Sequence, residues 1–528
     1  MSDAQAKGSI LNWPPHLQEY VAARRATHAK APDVVSSPEQ VRDEAALDVI
    51  YPVGDPYFIH AYRDPTGEGR YMPISPSLPP EDEEVAKKLL AQLLDLGLRE
   101  APPTDQAQLA KAVERLVGVA ASRGKFHLSE DQLYRVRQRI LRDLVSYGPL
   151  EPLMRDPYIE DLQGVGRKGL FVIHRHFGML RVKEVFQDDA QFETYLRNLS
   201  ERVGRPVSEG RPIVDASLPD GSRINIVFSE TVSKRGASFS VRRVSEDPAS
   251  IVRIVRWGTL SAEMAAYLWL CIENGMSVFV CGESACGKTT TLNALLGLIP
   301  PKHKVYTAED TAEVVPPHKV WQRLLTRESG PEEARVQMFD LLKAALRSRP
   351  NYIIVGEIRG AEGNVAFQAM QTGHPVIASF HASAVRKMIQ RLTSEPINVP
   401  VTFIDNLNIG VFQQALPMRG KLVRRITSIE EIEGFSPLDG GVVTRPVFVW
   451  DRPSDKHRMK GKFNSYILEH KIGEKLGYAD PRAIYGELAL RTKILERMVE
   501  LGIEDSQKVH ELLAGYAVGG AAALPFTV

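Results

Sequence analysis

Residues 277–294 read SVFVCGESACGKTTTLNA, and the fold of the chain turns on them. The first five residues form a short apolar run suited to a buried strand. From Gly282 through Glu283, Ser284, Ala285, Cys286, Gly287 and Lys288 to Thr289 the chain matches G-x-x-x-x-G-K-[ST]. Glycines at its ends let backbone N–H groups close around phosphate oxygens, and the helix that follows turns its N-terminus to the anion. Lys288 is placed for the β- and γ-phosphates of ATP, Thr289 for Mg²⁺, and Thr290 adjoins them. A glycine-rich turn with a coincidental lysine would lack the strand before it and the helix after it. Strand, loop and helix in that order are the repeating unit of a parallel sheet covered on both faces, so the fold class is α/β.

Working outward, RPNYIIVGEIRG (349–360) is an apolar strand that delivers Glu357 to the carboxyl edge of the same sheet, where ligands bind in such folds. VYTAEDTAE (305–313) ends a second strand in Glu309–Asp310. Two carboxylates from different strands suit hydrolysis of a phosphoanhydride, one holding Mg²⁺ and one polarising water. Asp310 read alone would be a helix N-cap, and Glu357 alone a surface glutamate. TGHPVIASFHA (372–382) puts His374 and His381 on either side of a third strand. With no third ligand nearby, γ-phosphate sensing fits at least one of them better than metal binding.

Taken in this order, GESACGKT, YTAEDTAE, IIVGEIRG and GHPVIASFHA resemble the Walker A, Asp box, atypical Walker B and His box of one superfamily. It is the secretion/motor ATPase superfamily of type II and type IV secretion, type IV pili and archaella. The resemblance extends to YGPLEPLMRDPYIEDLQ (147–163), LPDGSRINI (218–226), SFSVRR (238–243) and RLTSEPINVP (391–400), covering about residues 145–435. It implies a RecA-like P-loop domain preceded by a smaller, sensor-like (PAS-like) α/β domain, assembled as a homo-hexamer. It also implies that arginines of the smaller domain reach the nucleotide, at Arg223 and at Arg242 or its neighbour Arg243. Glu357, Glu309, Arg223, Arg242 and His381 become the expected catalytic residues. Gly282 to Thr290 are the expected ATP-binding residues, and Thr289, Glu357 and Asp310 the expected Mg²⁺ ligands, partly through water. RLTSEPINVP, VRRITSIEEIEG (423–434) and an extra region before residue 145 look like the archaeal branch, which points to an archaellum or archaeal type IV filament motor. The partner so implied is an integral membrane platform protein, with the chain itself cytoplasmic and peripheral at the membrane.

Composition narrows the alternatives. At 528 residues the chain exceeds one core. Its net charge of +1 gives no global pull toward nucleic acid, which disfavours a DNA-translocating type IV secretion ATPase. A small-molecule kinase needs neither the preceding domain nor the His box, and a non-hydrolysing nucleotide-gated scaffold would use the carboxylates only as structure. The three cysteines, Cys271, Cys281 and Cys286, have no metal spacing and suit a reducing compartment. Cys286 lacks a resolving partner, so a redox switch is not expected. No run approaches the roughly 20 apolar residues that span a bilayer, so membrane contact is expected only through a partner.

The expected organisation is a polar extension (1–47) with a helix near residues 16–27, then a β-hairpin and three helices (48–145), the last two capped by Thr104 and Ser129. The small α/β domain (146–245), a linker (246–260), the ATPase domain (261–435) and a C-terminal region (436–528) with a loose tail follow. His174 and His176 alternate on one strand and are expected on a solvated face.

Overall fold

In a computed structural model the described residues are 13–27, 31–41, 47–76, 78–97, 106–123, 126, 128–183, 185–229, 231–243, 248–327, 332–418, 421–438, 440–460 and 463–528. The chain divides into two compact units, Met1–Val244 and Ser245–Val528.

The first unit is built on a ten-stranded sheet ordered β1-β2-β3-β4-β7-β6-β5-β10-β9-β8. Its strands are β1 (Asp33–Val34), β2 (Asp48–Pro52), β3 (Phe58–Arg63), β4 (Gly69–Ile74), β5 (Ile159–Val165), β6 (Gly169–His174), β7 (Gly178–Val182), β8 (Ile213–Ser217), β9 (Arg223–Val227) and β10 (Ser238–Arg242). The DPTGEG signal makes the β3–β4 turn, where the Asp64 carboxylate accepts from the amides of Thr66 and Glu68. Alternation puts Ile224 and Ile226 of β9, and Phe239 and Val241 of β10, into the core.

The strands of 48–74 and those of 159–242 form one body. β4 pairs in parallel with β7 at Arg70↔Arg181 and Tyr71↔Val182, and Tyr51, Ile59 and Tyr71 share a hydrophobic core with Leu162, Val172, Phe192 and Phe239. Inside it the buried Asp156 accepts from the hydroxyls of Tyr51 and Tyr71, each at 2.7 Å, and from the Tyr158 amide at 2.9 Å. His174 is not on a solvated face: it is buried, with Nε2 3.2 Å from the Tyr51 hydroxyl and Nδ1 accepting from the amides of His176 and Phe177. The Tyr51 hydroxyl gives its proton to Asp156, so the His174 Nε2–H is the donor to Tyr51. Burial pushes His174 down to about 3 and Asp156 upward. His176 lies past the end of β6.

Helices α1 (Pro15–Thr27), α2 (Pro80–Gly97), α3 (Gln106–Arg123), α4 (Glu130–Leu144), α5 (Glu151–Arg155) and α6 (Asp189–Arg202) complete the unit. Ser129 caps α4 in a capping box with Gln132; Thr104 lies outside the described residues. α2, α3 and α4 pack through Leu89, Val117, Val136 and Ile140. α1 is no free polar extension, since Leu17 and Val21 pack on Ile50 and Ile74.

The second unit holds a nine-stranded sheet ordered β13-β12-β14-β15-β11-β16-β17-β18-β19. β11 (Val278–Gly282), β12 (Val305–Glu309), β13 (Trp321–Leu325), β14 (Tyr352–Ile358), β15 (Val376–Phe380) and β16 (Ile409–Met418) run parallel. β17 (Lys421–Ser436), β18 (Gly441–Asp451) and β19 (Lys456–Met459) continue it as an antiparallel meander.

The stretch expected as a linker, 246–260, holds a packed helix in its described part. Ser250 caps a helix, α7 (Ile251–Arg256), whose Ile251, Val252 and Ile254 are buried in the core of this unit. α8 (Ala262–Glu273) is buried on nearly every face, which explains why it is the most apolar stretch of the chain. No helix among the described residues is long and apolar enough to cross a membrane. α9 (Lys288–Leu296), α10 (Met338–Ser348), α11 (Glu362–Gln371) and α12 (Val385–Thr393) flank the parallel strands, and α13 (Ile484–Glu500) packs on α8. α14 (Ser506–Gly519) follows, and the tail beyond it is not loose: Leu524 is buried in the core and Phe526 packs against it.

Candidate active site

Parallel pairing brings the C-terminal ends of β11, β12, β14 and β15 to one edge, carrying Gly282, Glu309, Glu357 and, one residue past β15, His381. The loop from β11 to α9 is shaped by two left-handed residues, Ala285 at φ 62° and Gly287 at φ 95°. Such a turn aims successive amides inward as an anion-binding nest. Gly282 is required by packing, because a Cβ there would sit 2.4 Å from the Gln413 carbonyl oxygen and 2.5 Å from Cys286 Sγ. Cys286 is thus a packing residue of the loop floor, and burial pushes its thiol up, away from thiolate reactivity. Glu283, Ser284, Ala285 and Thr290 are exposed, and Thr289 is half-buried.

Lys288 is buried, and its ammonium donates to the carbonyls of Gly282 at 3.1 Å and Glu283 at 2.9 Å, with His381 Nδ1 at 3.5 Å. His381 Nε2 in turn lies 2.5 Å from Glu357 Oε1. Lysine can only donate, so Nδ1 is the acceptor and Nε2 is the ring nitrogen that carries the proton. It stands within ion-pair distance of Glu357 Oε1, which is buried and accepts no hydrogen bond among the described residues. Burial holds His381 below its ordinary value, against the pull of the Glu357 charge. Glu357 also pairs with Arg359. The β14–β15 register shifts between Val355 and Ile358, and Ser379 Oγ donates to the Gly356 carbonyl at 2.6 Å. This bulge is what re-aims Glu357 within a strand that runs on to Ile358.

Glu309 is buried beside Gly356, where a Cβ would lie 3.3 Å from Glu309 Cγ. Its Oε1 accepts from the amides of Glu313 and Val314 at 2.8 and 2.7 Å, and Arg323 Nε stands 3.3 Å from Oε2. Burial outweighs these donors and pushes the carboxyl up to about 7. Asp310 caps no helix; its carboxylate accepts from Thr326 Oγ1 at 3.1 Å, and its charge acts on Arg359. His374 precedes β15, at the far end of the sheet from Lys288, and bonds Thr372 at 3.1 Å.

In the first unit, Arg223 and Arg242 are direct cross-strand partners on β9 and β10, so their side chains share a face. Both are exposed, with Asp215 3.7 Å from Arg223 and Asp161 3.4 Å from Arg242. Arg243 points the other way, is mostly buried, and donates to the Met154 carbonyl. Of the two neighbours, Arg242 is the one presented outward.

Sequence reasoning passed over Arg323, Arg359, Gln413 and Arg424. Arg359 stands inside the quoted strand motif, two residues past Glu357, while the other three lie outside the four site motifs and strand order places them beside the site.

A sequence profile described as "Type II/IV secretion system protein" matches residues 144–414. The chain belongs to the type II/IV secretion system protein family. It is 47% identical over 548 residues to an uncharacterized protein of Methanocaldococcus jannaschii, covering 100% of this chain and 99% of that one. It is 27% identical over 262 residues to the VirB11 protein of Agrobacterium fabrum, covering 44% of this chain and 75% of that one. The X-ray structure of the Legionella pneumophila ATPase DotB aligns with a TM-score of 0.39 at 17% identity, covering 69% of this chain and 94% of that one. As a type II/IV secretion system protein it has the RecA-like α/β fold with an N-terminal domain ahead of it. The family profile stops at Gln414, short of β17 and the rest of the C-terminal meander.

Proposed function

We propose that the protein is an ATP-hydrolysing motor, working as a homo-hexamer, that powers assembly or rotation of an archaellum or type IV pilus-like filament, or a related secretion process, at the cytoplasmic membrane. The observation that carries the ATPase reading is the chain of contacts Lys288–His381–Glu357 at the sheet edge, with Glu309 beside it. The loop supplies backbone N–H groups and an ammonium for the triphosphate, and the edge supplies carboxylates for the attacking water.

The residues present fit Mg²⁺ arriving with the nucleotide. Among the described residues no three or more His, Cys, Asp or Glu side chains form a cage of their own, and a metal that keeps waters and phosphate oxygens needs none. The Thr289 hydroxyl and Glu357, with Asp310 through water, would hold it, and bound there it neutralises charge on the phosphates. His381, held by Lys288 and Glu357, is placed to register the γ-phosphate. Arg223 and Arg242, a paired cation on one face of the first unit, suit the charge that develops on the transferred group.

The motor reading draws on the family and on an archaeal relative that matches end to end. The platform partner is an integral membrane protein, and residues 1–145 are the region expected to contact it. The test is phosphate release by the purified full chain with no addition, with single-stranded DNA and with lipid vesicles, beside Lys288→Ala. Turnover that needs no DNA and vanishes in Lys288→Ala supports the reading. Stimulation by DNA alone favours a DNA translocase, and binding without release favours a nucleotide-gated scaffold.

A further inference from the structure

The loop has two flanks, because β15 and β16 lie on opposite sides of β11. His381 and, beyond it, Glu357 occupy the β15 flank. On the β16 flank, Gln413 Nε2 donates to the Cys286 carbonyl at 2.8 Å, and Gln413 Oε1 accepts from Thr291 Oγ1 at 2.7 Å. Gln413 thereby ties the last turn of the loop to the first turn of α9.

β16 and β17 continue past the sheet edge as a two-stranded overhang. Gly282 is the last residue of β11 to pair with β16, opposite Gln413, while β16 runs on to Met418. In the overhang Ala415 faces Arg424 across the pair, and Gln414 faces Arg425. Consecutive strand residues point to opposite faces, so Arg424 and Arg425 diverge. Arg425 is consumed by structure: its Nε and Nη2 grip the two oxygens of Asp455 at 2.8 and 2.9 Å. Arg424 goes to the loop. A Cβ on Gly287 would lie 3.0 Å from Arg424 Cδ and 3.6 Å from its Nε. The small Ala415 opposite leaves it room, and the side chain remains exposed. Among the described residues no carboxylate pairs with the Arg424 guanidinium, in contrast to Arg425 one residue on.

We propose that Arg424 is a nucleotide-binding residue, contacting the α/β-phosphate side of bound ATP or ADP from the overhang while Lys288 serves the γ-side. An unpaired guanidinium laid along the last glycine of an anion-binding loop is a phosphate ligand by its chemistry, and its planar fork suits two oxygens at once. Its flank is the one away from Glu357 and His381, so it acts on binding of ATP and ADP alike and not on bond cleavage. The residue lies beyond the stretch that the family profile matches. The proposal rests on the nucleotide reading of the loop.

The test uses the full chain, with ADP and ATP affinities by calorimetry, KM and kcat by phosphate release, and thermal melting as the folding check. Arg424→Ala weakens ADP and ATP by about tenfold or more, raises KM in parallel and leaves kcat within about threefold, as loss of a charge-assisted hydrogen bond made equally in both complexes requires. Arg424→Lys, which keeps the charge but not the fork, recovers part of the affinity. An Arg424→Ala protein that melts like wild type and binds ADP with unchanged affinity overturns the proposal, as does a fall in kcat at constant KM. Wild type that binds no nucleotide overturns the underlying reading as well, so the two failures are told apart.

Discussion

The His381 imidazole stands with Nε2 2.5 Å from Glu357 Oε1, and the same ring touches the loop lysine through Nδ1. Glu357 thus lies at ion-pair distance from a ring that also touches the loop lysine, with its buried Oε1 left free of hydrogen-bond donors among the described residues. Glu357→Gln keeps the shape and loses the charge, so it should still bind ATP within about threefold of wild type while kcat falls by about 100-fold or more. Phosphate release and nucleotide binding measured on one preparation check this. Weakened binding with normal turnover per bound ATP would make Glu357 a binding residue only.

Arg223 and Arg242 sit across one rung of the β9–β10 ladder. An additional cation at the transferring phosphoryl group is worth about 10³–10⁵ in rate in GTPases. Arg223→Ala is expected to bind ATP nearly as wild type and to hydrolyse it at least about tenfold more slowly, with Arg242→Ala behaving alike. Arg243→Ala should instead lower the melting temperature, because Arg243 holds the Met154 carbonyl. Normal turnover in Arg223→Ala and Arg242→Ala would return both to plain surface residues.

His174 gives the first unit an acid-sensitive core. Its folded value of about 3 lies below the ordinary 6.5, so the unfolded chain binds the extra proton between those values. Stability from this group is complete above about pH 6.5 and falls by up to about 1.4 kcal/mol for each pH unit below it. Asp156, raised by burial, works in the opposite direction and is present in both proteins compared. Wild type should thus lose more melting temperature between pH 7 and pH 5 than His174→Gln, although the variant starts lower. Parallel pH profiles would show that His174 takes up its proton alike in the folded and unfolded chain.

Truncation after Gly519 removes Leu524 and Phe526 from the second core. Burying a side chain like Leu524 is worth about 1.5–3 kcal/mol. The truncated protein should melt several degrees lower, and an unchanged melt would mark those residues as dispensable packing.

The second core and its edge were legible because strand, loop and helix recur there with carboxylates at strand ends. Local pattern put Glu309 and Glu357 at that edge and left His374 and His381 open, and strand order places His381 there and His374 at the other end. Arg424 was not, since VRRI shows two adjacent arginines and only the register against Ala415 and Gln414 separates them. Residues 246–260 looked like a linker because α7 is six residues long, too short to show a period, and it is held by tertiary packing. His174 looked solvated because its partners, Tyr51 and Asp156, come from other elements. Arg242 and Arg243 could not be told apart until burial showed which one faces outward.

Asp156 adds a polar tie to the hydrophobic core that joins the two parts of the first unit's sheet. The β4–β7 seam has two residue pairs, Arg70↔Arg181 and Tyr71↔Val182, too few to resist sliding on their own. Tyr51 of β2 and Tyr71 of β4 converge on one carboxylate oxygen set just ahead of β5. Shear along the seam would stretch both phenol–carboxylate bonds at once, and all three side chains are fully buried. Residues 48–74 would therefore move with β5 as one piece, and β5 pairs with β10, the strand of Arg242.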